Sequence, residues 1–513
     1  MGYLLGSDIG TTGVKTVLCD DDGQIVATTS AEYPCHTPRP LWSEQEPTDW
    51  WEGTCESVRA VLDEAGVSGD QVDGIGLSGQ MHGLVMLDEN DEVIRPAILW
   101  NDQRTGEECD DITDAVGEDR LMDIACNPAL TGFTAPKILW VRKNEPENYE
   151  QCRRILLPKD YVRFRMSGEY ATEVSDASGM LLLDVPEREW SDEILDELNI
   201  DRDLLPRCHE SSEVTAQVSE SAAKELGVSP GTPIVGGAGD QAAGAVGNGI
   251  VRHGVISATL GTSGVVFAFS DSPATDPEGR VHTFCHAVPD KWHVMGVMLS
   301  AGGSFHWLHD NLADAERMRA EEEDRDSFDI LTEEAAQAEP GAEGLFFLPY
   351  LTGERTPHAN PNAKGAWIGL TPRHGKEELV RSTMEGITFG MKDSLEIIRG
   401  MGVDVEEIRV SGGGAKSDFW CNMQADIYEH DVCTINTEQG PAYGVALLAG
   451  VGSGRWQSAD EACRNSIRVT DSYRMDRTRA GTYSRLYPIW RKLYRDLEDS
   501  FDDITEAVEE LYG

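Results

Sequence analysis

Across 513 residues, 91 Asp and Glu outnumber 43 Lys and Arg and leave a net charge of −48. That surplus argues against binding nucleic acid or an anionic membrane surface, and 40% apolar residues with 12 Trp argue against disorder. The length exceeds what one hydrophobic core usually supports, which predicts two large domains.

So much acid with so little base points to a salt-rich cytoplasm, where screening confines self-repulsion to contact range. The opening MGYLLGSDIG lacks a basic region and a long apolar core, so no secretory signal is expected. No apolar run approaches ~20 residues, so no membrane span is expected either. The 11 cysteines are scattered without a C-x-x-C pair. Reduced cytoplasmic thiols fit this better than a disulfide framework or a zinc site.

SDIGTTGVKTVLCDDDGQIVA, from Ser7 to Ala27, holds the letters of a phosphate-binding lysine loop in the wrong arrangement. Val14 separates Gly13 from Lys15, and alternating residues rather than a helix follow, so it is no P-loop. It reads as strand, glycine turn, strand, Asp22-Gly23 turn, strand. Asp8, just before the first turn, could hold a divalent cation, directly or through water, or could bond its own turn.

EPTDWWEGTCESVRAVLDEAG has Thr48 or Asp49 as helix N-cap and Trp51, Val58 and Leu62 on one side. VDGIGLSGQMHGLVMLD reads as a strand pair around a glycine turn, with His82 at a strand end. Asn101, Asp102 and Arg104 in ILWNDQRT suit either a polyol site or an ordinary surface turn. In PIVGGAGDQAAGAVGNGI, Pro-Ile-Val is a strand, Ala238-Gly239 a turn, and Asp240 opens a helix of small residues that lets a ligand come close. Asp240 either caps that helix or accepts a hydroxyl proton during phosphoryl transfer.

ATLGTSGVVFAF at Ala258 echoes SDIGTTGVKTVL at Ser7, which predicts two lobes of similar build, each opening with a β-hairpin. Facing glycine hairpins offer N–H groups and hydroxyls to an anion between them. EEEDRD near Glu321 reads as a solvated face or loop. A long helix follows over EELVRSTMEGITFGMKDSLEIIRGMG, ending at Gly400 or Gly402. EEIRVSGGGAKSDFWCNMQADIY reads as strand, glycine turn, helix, without the dinucleotide-binding G-x-G-x-x-G. Leu493, Leu497, Phe501, Ile504, Val508 and Leu511 recur at helical spacing and predict a packed terminal helix. Alternating strands and helices place the chain in the α/β class.

Taken in order, DIGTTGVK, EQEPTDWW, GQMHG, LWNDQR, GFTAPKILWVRKNE, GAGDQAAGAVGNG, GTSG and GGGAKSDFWCNMQADI span essentially the whole chain. In that order they resemble the FGGY carbohydrate kinases of the actin-like ATPase superfamily, and within them the xylulokinase branch. The resemblance implies two actin-like (ribonuclease H-like) lobes around a ligand cleft, residues 1–251 for the sugar and 252–513 for the nucleotide. It implies ATP-dependent phosphorylation of D-xylulose, with Mg2+. Asp240 would be the base, and Asp8 would arrange metal and phosphate. Thr11, Thr12 and Thr262 would meet the phosphates, while Gly302, His306 and Gly413 would border the nucleotide. Ser417 would stand near the adenine, where relatives often carry Asn. Met81 and His82 would meet the ketopentose, helped by Asp102 and Gln241, in a loop where glycerol kinases carry an Arg-Glu pair. Sister kinases for another ketopentose, gluconate or glycerol, and an actin-like ATP switch, are the rival expectations. A homodimer is left open.

Overall fold

The computed structural model describes residues 2–512. Two seven-stranded sheets organise it. In the first, β1 (Tyr3–Ile9), β2 (Gly13–Cys19) and β3 (Ile25–Glu32) form an antiparallel meander, and β4 (Val72–Gly79) runs parallel to the other edge of β1. β5 (Val214–Gln217) and β6 (Pro233–Val235) extend that edge, and the two-residue β7 (Ala238–Gly239) pairs with the end of β4.

The second sheet repeats the pattern. β8 (Val255–Leu260), β9 (Gly264–Ser270) and, after the edge strand β10 (His282–Cys285), β11 (Trp292–Met298) make the meander. β12 (Glu407–Gly412) lies parallel to β8, followed by β13 (Val432–Ile435) and β14 (Val469–Tyr473). A meander with a parallel strand beside its first member, built twice, is the expected pair of actin-like lobes, and the echoed glycine turns join the first two strands of each.

Helices cover both faces of the sheets, which is why the central strands are buried on both sides. α1 (Pro47–Ala65) places Trp50, Trp51, Val58 and Leu62 against Leu5, Val14 and Leu18. Its cap is Glu46 rather than Thr48 or Asp49, and Pro47 opens it, since proline suits a first turn that has no N–H partner to lose. α2 is Asp240–Gly247, α3 Gly302–Leu312, α4 Lys376–Gly400 and α5 Asp418–Tyr428. α4 and α5 line the second core with Met384, Ile387, Trp420 and Ile427.

α6 (Gly440–Gly452) comes from the second half of the chain but lies on the first sheet. A Cβ on Gly6 would sit 2.0 Å from the Ala442 carbonyl oxygen, and one on Gly76 would sit 2.0 Å from that of Val445. Only strands without side chains at those points allow a helix so close. Residues 440–452, beyond the expected division at residue 251, thus pack on the first sheet.

Two further expectations are corrected. Val85–Leu87 pairs with Arg154–Leu156 instead of folding back on β4, because both edges of β4 are already taken. In the terminal helix α7 (Arg477–Tyr512), Phe501 is buried, but Ile504, Val508 and Leu511 are 47%, 49% and 72% exposed, so the last turns run free of the core.

Candidate functional site

The parallel strands β1, β4 and β7 end side by side, with Asp8 in register with Ser78 and Ser78 in register with Ala238. That register brings two carboxylates together: Asp8 at the end of β1, and Asp240 as the first residue of α2, directly after β7. The Ser78 hydroxyl donates to Asp8 Oδ1 at 2.7 Å, leaving Oδ2 for a cation or water. Burial raises the Asp8 carboxyl above its ordinary range, against the Ser78 bond and the charge of Lys15. Burial, and after it the charge of Asp8, pushes the Asp240 carboxyl up to about 7. A helix N-terminus ordinarily favours the carboxylate, but here burial and a second acid outweigh it. An acid tuned near neutrality is suited to taking a proton from a hydroxyl. Ala238-Gly239, expected as a turn, is the short strand that delivers it.

The loop after β4 forms the neighbouring wall. His82 adopts φ 70, a left-handed backbone that costs a non-glycine residue energy and must be held by its surroundings. Its Nδ1 lies 2.6 Å from the Gly179 carbonyl oxygen, so Nδ1 carries the proton and Nε2 is free to accept one from a hydroxyl. Burial, then the charge of Lys137, pushes the imidazole down to about 3 and keeps it neutral. The ring meets Phe133 edge-on at 4.9 Å. Met81 is buried against Gly239, where an added Cβ would come 3.0 Å from Met81 Cγ.

Lys137, quoted within a motif above without a role, locks this loop. Its Nζ donates to the carbonyl oxygens of His82 at 2.8 Å and Gly132 at 2.7 Å, and burial pushes its ammonium down to about 7.

Asp102 does not open toward a sugar. It is fully buried, its Oδ1 accepting from Arg104 N and Nε and its Oδ2 from Arg104 Nη2 and Ser43 N, at 2.6–3.0 Å. Neither of the two sequence readings, polyol site or surface turn, describes it; the pair is a buried brace. Thr11 is likewise partly committed. Its hydroxyl accepts from Trp100 Nε1 at 3.0 Å and donates to Gln80 Oε1 at 3.1 Å, tying the first hairpin to the loops after β4. Thr12 beside it is exposed. Trp100, 37% exposed, had no role in the sequence reading.

The remaining expected residues gather on two adjoining cavities. One, of about 490 Å³, is lined by Asp240, Gln241, Ser411, Gly412, Gly413 and Lys416, among others. The other, of about 340 Å³, brings together Thr262, Gly302, His306, Gly413 and Ser417. Gly302 donates its N–H to the Gly261 carbonyl at 2.9 Å, and a Cβ there would lie 2.3 Å from that oxygen, so α3 starts hard against the second hairpin. The Ser417 hydroxyl accepts from Trp420 N at 3.3 Å and caps α5. Lys416 borders both cavities and puts an exposed ammonium at their junction, where an anion would pass.

The chain matches two family models. One, described as the N-terminal domain of the FGGY family of carbohydrate kinases, covers residues 3–247, and the other, the C-terminal domain, covers 256–453. It is 40% identical over 499 residues to xylulose kinase of Bacillus subtilis (strain 168), spanning 97% of this chain and 98% of that one. Over 494 residues it is 40% identical to xylulose kinase of Escherichia coli (strain K12), spanning 96% and 99%. The solved structure of a xyloylose kinase from Brucella ovis superposes with a TM-score of 0.88 at 32% identity, over 97% of this chain and 99% of that one.

Proposed function

Because the chain belongs to the FGGY family of carbohydrate kinases, we propose that it transfers the γ-phosphoryl group of ATP to the terminal hydroxyl of D-xylulose, giving D-xylulose 5-phosphate and ADP. The observation that carries this reading is the setting of Asp240. It stands between the Met81–His82 loop and the cavities at the second hairpin, with its carboxyl near neutrality.

The proposed steps are ordinary physical chemistry. The sugar lies on Met81, and its hydroxyls meet His82 Nε2 and the Gln241 amide. Asp240 accepts the proton of the attacking hydroxyl, which leaves an alkoxide-like oxygen in line with the γ-phosphorus. Thr12, Thr262 and the glycine turns hold the phosphates by hydroxyls and N–H groups, and Lys416 meets their charge.

The Asp8 oxygen not bonded to Ser78, near enough for its charge to raise the Asp240 carboxyl, fits a small oxygen-seeking cation. Mg2+ held there, directly or through water, would supply charge neutralisation at the phosphates. Eleven free cysteines, eight of them buried, support a reducing compartment such as the cytoplasm, and the charge of −48 supports one rich in salt.

Gluconate is the less suited acceptor, because Lys137 commits two of its three donors to carbonyl oxygens and burial disfavours its charge, so it is a poor partner for a carboxylate. A panel of sugars in an ADP-coupled assay tests the reading. D-xylulose should give the highest kcat/KM. A higher value for gluconate or glycerol would overturn the substrate, and ATP turnover indifferent to any sugar would overturn the kinase in favour of a switch.

A further inference from the structure

The base Asp240 is delivered by Gly239, and the N–H of Gly239 is held from outside the sheet. It donates at 3.1 Å to the hydroxyl of Ser175, in the short helix Val174–Ala177. That hydroxyl in turn donates to Glu173 Oε1 at 2.9 Å. The Glu173 carboxylate is fully buried and accepts three further bonds: Asp176 N at 2.8 Å on Oε1, and Ser175 N at 2.8 Å and Ser211 Oγ at 2.7 Å on Oε2. Lys159 supplies the counter-charge, its Nζ 3.7 Å from Glu173, 3.2 Å from Asp176 and 2.6 Å from Asp160.

Resting on the reading of Asp240 as the base, we propose that Ser175 and Glu173 are positioning residues that fix where its carboxylate stands. Glu173 aligns the Ser175 hydroxyl, and the hydroxyl fixes the Ala238–Gly239 peptide of β7, one residue before α2 begins. Met81 packs against the same glycine, so the segment that leads into Asp240 is held by the Met81 side chain as well as by the Ser175 hydroxyl. All four donors around Glu173 point inward, so a glutamine there would turn its NH2 against two of them. A burial of charge this well satisfied does more than cap a short helix.

Ser175→Ala tests the clamp, with kcat and both KM values read beside Asp240→Asn. Loosening the peptide by a fraction of an ångström to an ångström should lower kcat by about ten- to a hundredfold. KM for ATP and for D-xylulose should each stay within about threefold, and Ser175→Ala should cost nothing further in the Asp240→Asn background. A kcat within about twofold of the parent would overturn the proposal, as would the same loss repeated in the Asp240→Asn background, which marks a general structural effect. If Asp240→Asn itself kept normal turnover, the assignment of the base would fail, and the inference with it, by a separate reading. Should Ser175→Ala not fold, Ser175→Cys keeps the volume, accepts only weakly, and supports the same comparison.

Discussion

Replacing Gly444 by alanine probes the contact behind α2, the helix that Asp240, the proposed base, opens. A Cβ at Gly444 would stand 1.9 Å from the Ala243 carbonyl oxygen and 2.8 Å from the Gly247 nitrogen, while one at Gly247 would stand 2.1 Å from the Gly440 oxygen. α2 and α6 thus cross backbone to backbone, with no flexible side chain to yield. Ordinary contact begins at 3.4 Å, so the helices must part by about 1.5 Å. Overpacking of this kind costs about 1–3 kcal/mol. Alanine returns at most about 1 kcal/mol through helix propensity, so the sign is set by the clash. Gly444→Ala should lower Tm by a few degrees and, because α2 carries Asp240 at its first position, lower kcat by up to about a hundredfold. Gly481→Ala in α7, where nothing lies within 4 Å, is the control and should be neutral or stabilising. Thermal melting and steady-state turnover measure both. A Gly444→Ala enzyme with unchanged Tm and full kcat would refute the backbone crossing as the support of Asp240.

Two other outcomes follow from charge. Lys416→Met should raise KM for ATP by about ten- to a hundredfold, the worth of one charge-assisted hydrogen bond, and leave KM for D-xylulose alone; an unchanged KM for ATP in a nucleotide-binding assay would remove Lys416 from the phosphate path. Tm and KM for ATP should both improve from dilute buffer toward molar KCl, as the screening length falls from ~30 Å at 0.01 M to ~3 Å at 1 M; a Tm maximum below ~0.2 M across a KCl series would defeat the high-salt reading.

What the sequence made legible was what local chemistry dictates. Asp22-Gly23 and Gly10-Thr-Thr-Gly specify their turns within a few residues, and Gly23 does adopt φ 74. The doubled hairpin was visible because each copy repeats that local code. Asp240 at a helix start was legible for the same reason, whereas the small residues after it were misread in part. Gly247 and Ala243 make room for α6, a partner from the far end of the chain. Gly6, Gly76 and Gly444 look like any glycine until the helix that needs their missing side chains is placed. Asp102 shows the reverse error. A cluster of polar residues after an apolar strand has the composition of a ligand site, but only the fold reveals that Arg104 and the Ser43 N–H use every oxygen. Ser175 and Lys137 carried no legible signal, since the distant groups they bond are an N–H and two carbonyls, which every residue owns.

The acidic surface and the chemical site are therefore separable parts of this molecule. Asp240 is placed by β4 through register, by α6 through backbone contact, and by Ser175 through one N–H bond. None of these is an exposed ion pair, and each lies where screening by salt is weak. Under the proposed function the groups that would meet the sugar are neutral or buried: Met81, an imidazole held neutral, and a carboxylate tuned mainly by burial. Salt acts instead where the long-range field acts, on the repulsion between exposed carboxylates and on the approach of an anionic nucleotide. The two effects should part in a single experiment on this chain. Stability and KM for ATP follow ionic strength, while kcat at saturating substrates responds to Gly444 and Ser175 and stays nearly level across the same salt series.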